Sequence, residues 1–415
     1  MQQQLQMFNP TLRLHRAAGR LLDTFLDEAM VRDSQRPISI GALFSQTGPT
    51  AYVERTQLNA TLLAVEEVNA AGGVGGRQVN VLTHDAQSDP TRFSKIAEHL
   101  LDEEGVSALI GCYMSNARQA VVPVVERRRA LLAYTACYEG FEYSPNVIYG
   151  GAVPNQHSLL LARYLMANVG KRFYLVGTRY TFPIESNRVM MTLVTERKGQ
   201  VIAERYVKLA AQRRELESIV EDIKTKRPDV VFCTIVGEAV GVFYDLCRAA
   251  GVLDRTVVAS LTITEAEVAL MPPGLAEGHI TAATYFQSIS SAANKRFVAN
   301  YRAKFGSHET INAMAETAYS LTHMVLGAAG RQKSFDANLI RGDLARTVFE
   351  APQGPVRLDP DNAHIYLWPR IGRLRADGQF TIVEQSSHAI KPDPYLINHS
   401  LADWDPILEI DMVNG

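Results

Sequence analysis

From Ile38 onward, short apolar runs alternate with longer amphipathic ones, and this alternation limits the fold more than any other feature of the chain. A short apolar run suits a strand buried on both faces, and a stretch with 3.6-residue periodicity suits a helix that covers it. Repetition of the pair gives βαβ units around a parallel sheet. The spacing predicts strands at residues 38–44, 79–84, 108–110 and 131–134, with helices near 55–70, 90–103 and 115–128. Asp89 as cap and Pro90 at the first helical position mark the start of the second helix. The run Gly150, Gly151, Ala152, Val153, Pro154 then breaks the pattern, as a crossing to another lobe would. Alternation resumes with strands near 173–177, 200–209, 230–234 and 257–261 and helices near 158–169, 184–198, 215–224 and 239–250. The expected class is therefore α/β, with two doubly wound parallel-sheet lobes.

A length of 415 residues accommodates two such lobes. The expected division is an amphipathic helical extension over residues 1–35, carried by Ala18, Leu21, Leu22, Phe25, Ala29 and Met30; a first lobe from 36–150 plus about 285–350; and a second from 151–284. Part of 351–415 joins the second lobe, with a small hairpin near 353–383 turning at Asp377–Gly378. Lys plus Arg number 42 against 44 Asp plus Glu, so no global charge draws the chain to nucleic acid or an anionic membrane. No apolar run approaches a membrane span, and residues 1–36 lack the apolar core of an export signal. With four cysteines and no CxxC pair, the expected location is cytoplasmic.

Motifs for phosphate, zinc-hydrolase, serine-elbow or calcium chemistry are missing, and the ten histidines are scattered, so neither cofactor nor metal is expected. His84 with Asp85 reads as a structural pair. Cys137 with Glu139 is the one place where a nucleophile can be placed, and it lacks a visible base, so an inert thiol lining a wall is the better reading and an enzyme is not expected. In doubly wound sheets ligands bind beyond the carboxyl ends of the strands. Here those ends carry Tyr113, Ser115, Tyr134, Cys137, Tyr180 and Thr234, a set of rings and hydroxyls that suits a neutral polar ligand. Thr264 and Glu267 have capping-box spacing and are assigned to structure.

Certain stretches resemble the amide-sensing negative regulators of bacterial amidase operons: FSQTGPTAYVERTQ (44–57), GGVGGR (72–77), GCYMSNARQAVVPVVER (111–127), YEGFEYSPNVIYGG (138–151), YTFPIESN (180–187), SLTITEAEVA (260–269), APQGPVR (351–357) and KPDPY (391–395). The resemblance implies the type I periplasmic-binding-protein fold, two lobes joined by a multi-strand hinge and closing on a ligand. It implies a small neutral amide as ligand and an RNA-binding antiterminator as partner, with no nucleic acid bound directly and a homo-oligomer as one arrangement. It places the ligand against Tyr113, Ser115, Tyr134, Tyr180 and Thr234. Ala136 and Cys137 stand where those sensors have threonine then proline, and Phe182 where they have a second tyrosine. The two missing hydroxyls imply a ligand larger or less polar than acetamide, such as a nitrile-derived amide. Relatives of that family feed ABC importers with urea, short amides or branched-chain amino acids, which gives the alternative function.

Overall fold

The computed structural model describes residues 36–396 and the backbone of residues 410–412. The amphipathic helix expected within residues 1–35 lies outside these. β1 (Ile38–Leu43), α1 (Ala51–Ala70), β2 (Val79–Thr83), α2 (Pro90–Asp102), β3 (Leu109–Gly111), α3 (Ser115–Arg128), β4 (Leu132–Tyr134) and β5 (Val147–Tyr149) build a parallel sheet in the order β2-β1-β3-β4-β5. Asp89 caps α2 by accepting from the backbone N–H groups of Thr91 and Arg92. α1 starts at Ala51, four residues before the expected start, and β5 is a strand beyond those expected, following β4 with no helix between to mark it.

The chain then crosses to a second sheet. α4 (Ser158–Asn168) leads into β6 (Arg172–Thr178), α5 (Thr181–Glu196), β7 (Gln200–Val207), α6 (Arg213–Lys226), β8 (Val230–Thr234), α7 (Ala239–Ala249), β9 (Val257–Ser260), α8 (Glu265–Val268) and β10 (Ile280–Ala283). Next come α9 (Ala292–Phe305), α10 (Ala313–Gln332) and α11 (Ala337–Leu344), followed by β11 (Phe349–Ala351), β12 (Gly354–Leu358), β13 (Ile365–Tyr366), β14 (Arg370–Leu374), β15 (Phe380–Ser386) and β16 (Ile410–Met412). The second sheet runs β16-β15-β14-β10-β9-β8-β6-β7, parallel from β7 to β10 and antiparallel beyond. The stretch expected as one small hairpin is therefore divided. β12 and β13 belong to a three-stranded sheet, whereas β14 and β15 extend the second sheet and cover the edge that β10 would otherwise leave open. Gly378, at φ +78°, makes the β14–β15 turn.

α10 lies along α1, and their apolar sides bury Val65, Leu321 and Val325 against Ile40, Ile110 and Ala133 of the first sheet. Phe93, Leu100, Val121 and Val125 of α2 and α3 cover the opposite face over Leu43, Leu109 and Leu132. At the crossing a Cβ on Gly151 would run into the Ala136 carbonyl, so only glycine lets the two segments come this close. No helix among the described residues is long and apolar enough to cross a membrane.

Leu321 is 2% exposed where α10 meets the sheet and the Gly150 crossing. Leu321→Ala is expected to lower stability by ~2–5 kcal/mol, because it leaves a cavity in a packed core; urea denaturation followed by circular dichroism checks this.

Candidate ligand-binding cleft

The carboxyl ends of the two sheets face one another. Residues that follow β1, β3 and β4 meet residues that follow β6, β8 and β9, and Ala266 of α8 and Tyr180 before α5 pack into the same apolar cluster as Val53, Tyr113 and Tyr134. A Cβ on Gly237, which has φ +79°, would lie 3.1 Å from the Pro49 carbonyl oxygen, so the lobes touch through backbone at that point. At the rim the Thr181 hydroxyl donates to Gln119 Oε1 at 3.2 Å.

Three tyrosines and one carboxyl converge across this crevice. The hydroxyl of Tyr113 is pushed far up by burial first, then by Glu267 and by the neighbouring Tyr180 and Tyr52. Tyr52 is likewise raised by burial, Glu267 and Glu238, and it is met by the backbone N–H of Gly237 from the other lobe. Tyr180, half-buried, is raised by burial and by Tyr134, Glu139 and Cys137. Glu267 is raised to about 7 by burial, partly offset by the N–H and hydroxyl of Thr264, both 2.8 Å from its Oε2. The capping box is present, and the same carboxyl also forms cleft wall. Tyr52 and Glu267 are thus the residues that sequence reasoning missed. An earlier start for α1 brings Tyr52 to the end of β1, and a capping role does not exhaust a carboxylate with two oxygens.

Beneath the tyrosines lies a charged knot. The fully buried Arg118 donates to Glu139 Oε1 at 3.0 Å and to Glu142 at 2.9 and 3.1 Å, and its guanidinium sits 4.8 Å from the Tyr134 ring centre and 4.4 Å from that of Tyr138. Ser115, in the first turn of α3, donates its hydroxyl to Glu139 Oε2 at 2.6 Å. That hydroxyl proton is committed to the knot, which leaves the backbone N–H of Ser115 at the start of α3 as the group it could offer a ligand. Tyr134 donates to the Tyr113 carbonyl at 3.1 Å and supports it from below.

The remaining expected residues scatter. Thr234 turns its hydroxyl into its own lobe, with Val176 O at 3.2 Å and Asn187 Oδ1 at 3.1 Å. Phe182 is packed in the second-lobe core with Leu159, Met190 and Leu193, a cluster against which Cys137 and Tyr180 also pack. Ala136 is buried against the crossing at Gly151. Cys137 does face the site, and burial, followed by Glu139, raises its thiol to about 12, which keeps it protonated and poorly nucleophilic near neutral pH. Cys137 also borders a cavity of about 20 Å³ at the crossing, shared with Thr135, Leu261 and Met314 and large enough for one water or a methyl group.

Removing the cation from the knot leaves two carboxylates unpaired in the interior. Arg118→Met is expected to cost ~3–5 kcal/mol in denaturant titration. Burial also raises Glu54 to about 7 and Glu265 to about 8. Acids raised in this way stabilise the fold fully below the unfolded value near 4.5, and lose that contribution as pH climbs through about 7 to 8. Below about pH 6.5 the buried histidines His157, His279 and His364, lowered by burial to about 4, 3 and 3, oppose this trend, so the melting temperature should fall between about pH 6.5 and 8, with a shallower slope in Glu267→Gln.

A model of the periplasmic binding protein domain matches residues 38–401. A Leu/Ile/Val-binding protein homolog of Brucella suis is 23% identical over 305 residues, 70% of this chain and 76% of that protein. A limonene hydroxylase of Geobacillus stearothermophilus is 32% identical over 123 residues only, 30% of this chain and 22% of that protein. Among solved structures, the solute binding protein of an ABC transporter from Rhodopseudomonas palustris, in complex with 3,4-dihydroxybenzoic acid, superposes with a TM-score of 0.77 at 20% identity. That superposition covers 86% of this chain and 98% of the other.

Proposed function

The chain belongs to the periplasmic binding protein domain family, and from that premise we propose that it is a solute-binding protein of an ABC importer, closing its lobes on a small neutral amide. The family match and the ABC-transporter neighbour overturn the cytoplasmic location expected above. That expectation rested on cysteine usage and on the composition of residues 1–36, whereas the family match rests on residues 38–401. A periplasmic site of action follows from the reading.

One observation carries the ligand class. Tyr52, Tyr113, Tyr180 and Glu267 converge on the crevice, while the buried cation beneath them is already held by Glu139 and Glu142. Tyrosine hydroxyls accept and donate, and a carboxyl titrating near 7 accepts from an N–H, so an amide finds partners for both of its ends. An anionic benzoate would lose its hydration against these walls without a cation released to receive it. The resemblance to amidase-operon sensors supports a second reading of the same cleft, in which an amide releases an RNA-binding antiterminator. The descriptions of the relatives speak for transport and make it the first.

A thermal-shift panel tests the ligand class, since a ligand at 100 times its dissociation constant stabilises by ~2.7 kcal/mol. Urea, acetamide, propionamide and isobutyramide are compared with isoleucine and 4-hydroxybenzoate. The expected result is a shift with the amides and none with the benzoate, and a two- to twelvefold weaker amide affinity in Tyr113→Phe and Tyr180→Phe, corresponding to ~0.5–1.5 kcal/mol for one hydrogen bond. A shift with benzoate alone overturns the reading.

A further inference from the structure

We propose that His84, His99 and Glu104 form a binding site for a divalent transition-metal ion on the outer edge of the first sheet, independent of the cleft. β2 is the edge strand, and His84 is the first residue after it. His99 lies in the last turn of α2, and Glu104 follows the end of that helix. The loop and helix between these elements fold back, so residues 15 and 5 positions apart in sequence bring their side chains to one point.

The geometry at that point is that of converging ligands. His84 Nε2 is 2.9 Å and His99 Nε2 3.2 Å from the same oxygen, Glu104 Oε1. One ligand atom from each residue lies within 4.8 Å of the others. The two rings stand edge to face with centroids 5.3 Å apart, so they approach the shared point from different directions. Both rings thus aim Nε2 at one carboxylate oxygen, and the same convergence is what a shared metal ion requires. Small shifts would place the same three atoms at the ~2.0–2.2 Å bonds that imidazole nitrogen and carboxylate oxygen make to zinc.

Two further observations point to an ion. Glu104 Oε2 is buried and has no hydrogen-bond partner, which leaves one acceptor of the carboxylate unused. The other ring nitrogen of His99, Nδ1, lies 3.0 Å from Glu103 Oε2. A carboxylate behind a histidine fixes the tautomer that offers Nε2 to a metal, and metal-ligating histidines nearly always have such a partner. The side chains of His84, His99 and Glu104 are 42%, 41% and 27% exposed, so an ion can enter and water can complete its coordination. Two imidazoles with one carboxylate suit zinc, nickel or cobalt better than calcium or magnesium. Asp85, which adjoins His84, is not a ligand, because it is occupied by the backbone N–H groups of Gln46 and Thr47 and by the Thr47 hydroxyl.

Zinc titration of the full chain against a chromophoric chelator tests the site, with cobalt absorption as a second signal. Wild type should bind one equivalent of zinc. Glu103→Gln should weaken binding by about 10–100-fold, the usual cost of losing an outer-shell partner, and His84→Ala, His99→Ala and Glu104→Gln should weaken it further. Circular dichroism shows whether each variant is folded, and His388→Ala, which removes a histidine elsewhere, should bind as wild type does. Absence of saturable binding in wild type, or unchanged affinity in folded His84→Ala and His99→Ala, overturns the proposal.

Discussion

The cleft is organised around a guanidinium that cannot leave. Arg118 is completely buried, paired with Glu139 and Glu142, and flanked by the rings of Tyr134 and Tyr138. Burying three charges is costly, and the knot persists because almost every lone pair and N–H in it is matched: Ser115 donates to Glu139 and Tyr149 to Glu142. This ties the loop after β4 to the first turns of α3. It also fixes the height of Tyr134, which carries the backbone of Tyr113, so the cleft wall inherits its position from the ion cluster. With the positive charge consumed internally, the wall presents hydroxyls and carboxyls to the crevice.

The two-lobed architecture provides the other half of the site. Parallel sheets end their strands at a common edge, and the crossings turn the two edges toward one another, so Tyr52 and Tyr113 meet Tyr180, Gly237 and Glu267. A ligand that touches both sides favours the closed arrangement by its difference in affinity between open and closed states. The fold of this chain is shared with a solved structure at 20% identity, so the framework depends on burial patterning more than on particular residues.

The alternation of strand and helix was legible from the sequence because burial on a sheet imposes it residue by residue. β5 and α8, with three and four residues, were not expected, whereas the equally short β3 and β4 were, because each follows an expected helix. Site residues were legible by type but not by direction. Tyr113, Tyr134 and Tyr180 lie where strand ends place them, whereas Thr234 and Phe182 have their side chains in the second-lobe interior, a matter of rotamer and packing that spacing does not encode. Glu267 was read as a cap, and it is one, but its burial gives it a second role. The His84–His99–Glu104 cluster has no local signature, because a loop and a whole helix separate its first member from the others.

In the proposed function the ligand sits between the tyrosines and Glu267, where the two sheets end. A crystal structure of the chain with the amide giving the largest thermal shift tests it most directly. Ligand nitrogen or oxygen atoms are expected within hydrogen-bond distance of Tyr113, Tyr180 and Glu267, with the Arg118 knot intact beneath. An amide seated elsewhere, such as the outer cavity of about 270 Å³ bounded by Met271, Leu374 and Gln379, would contradict it.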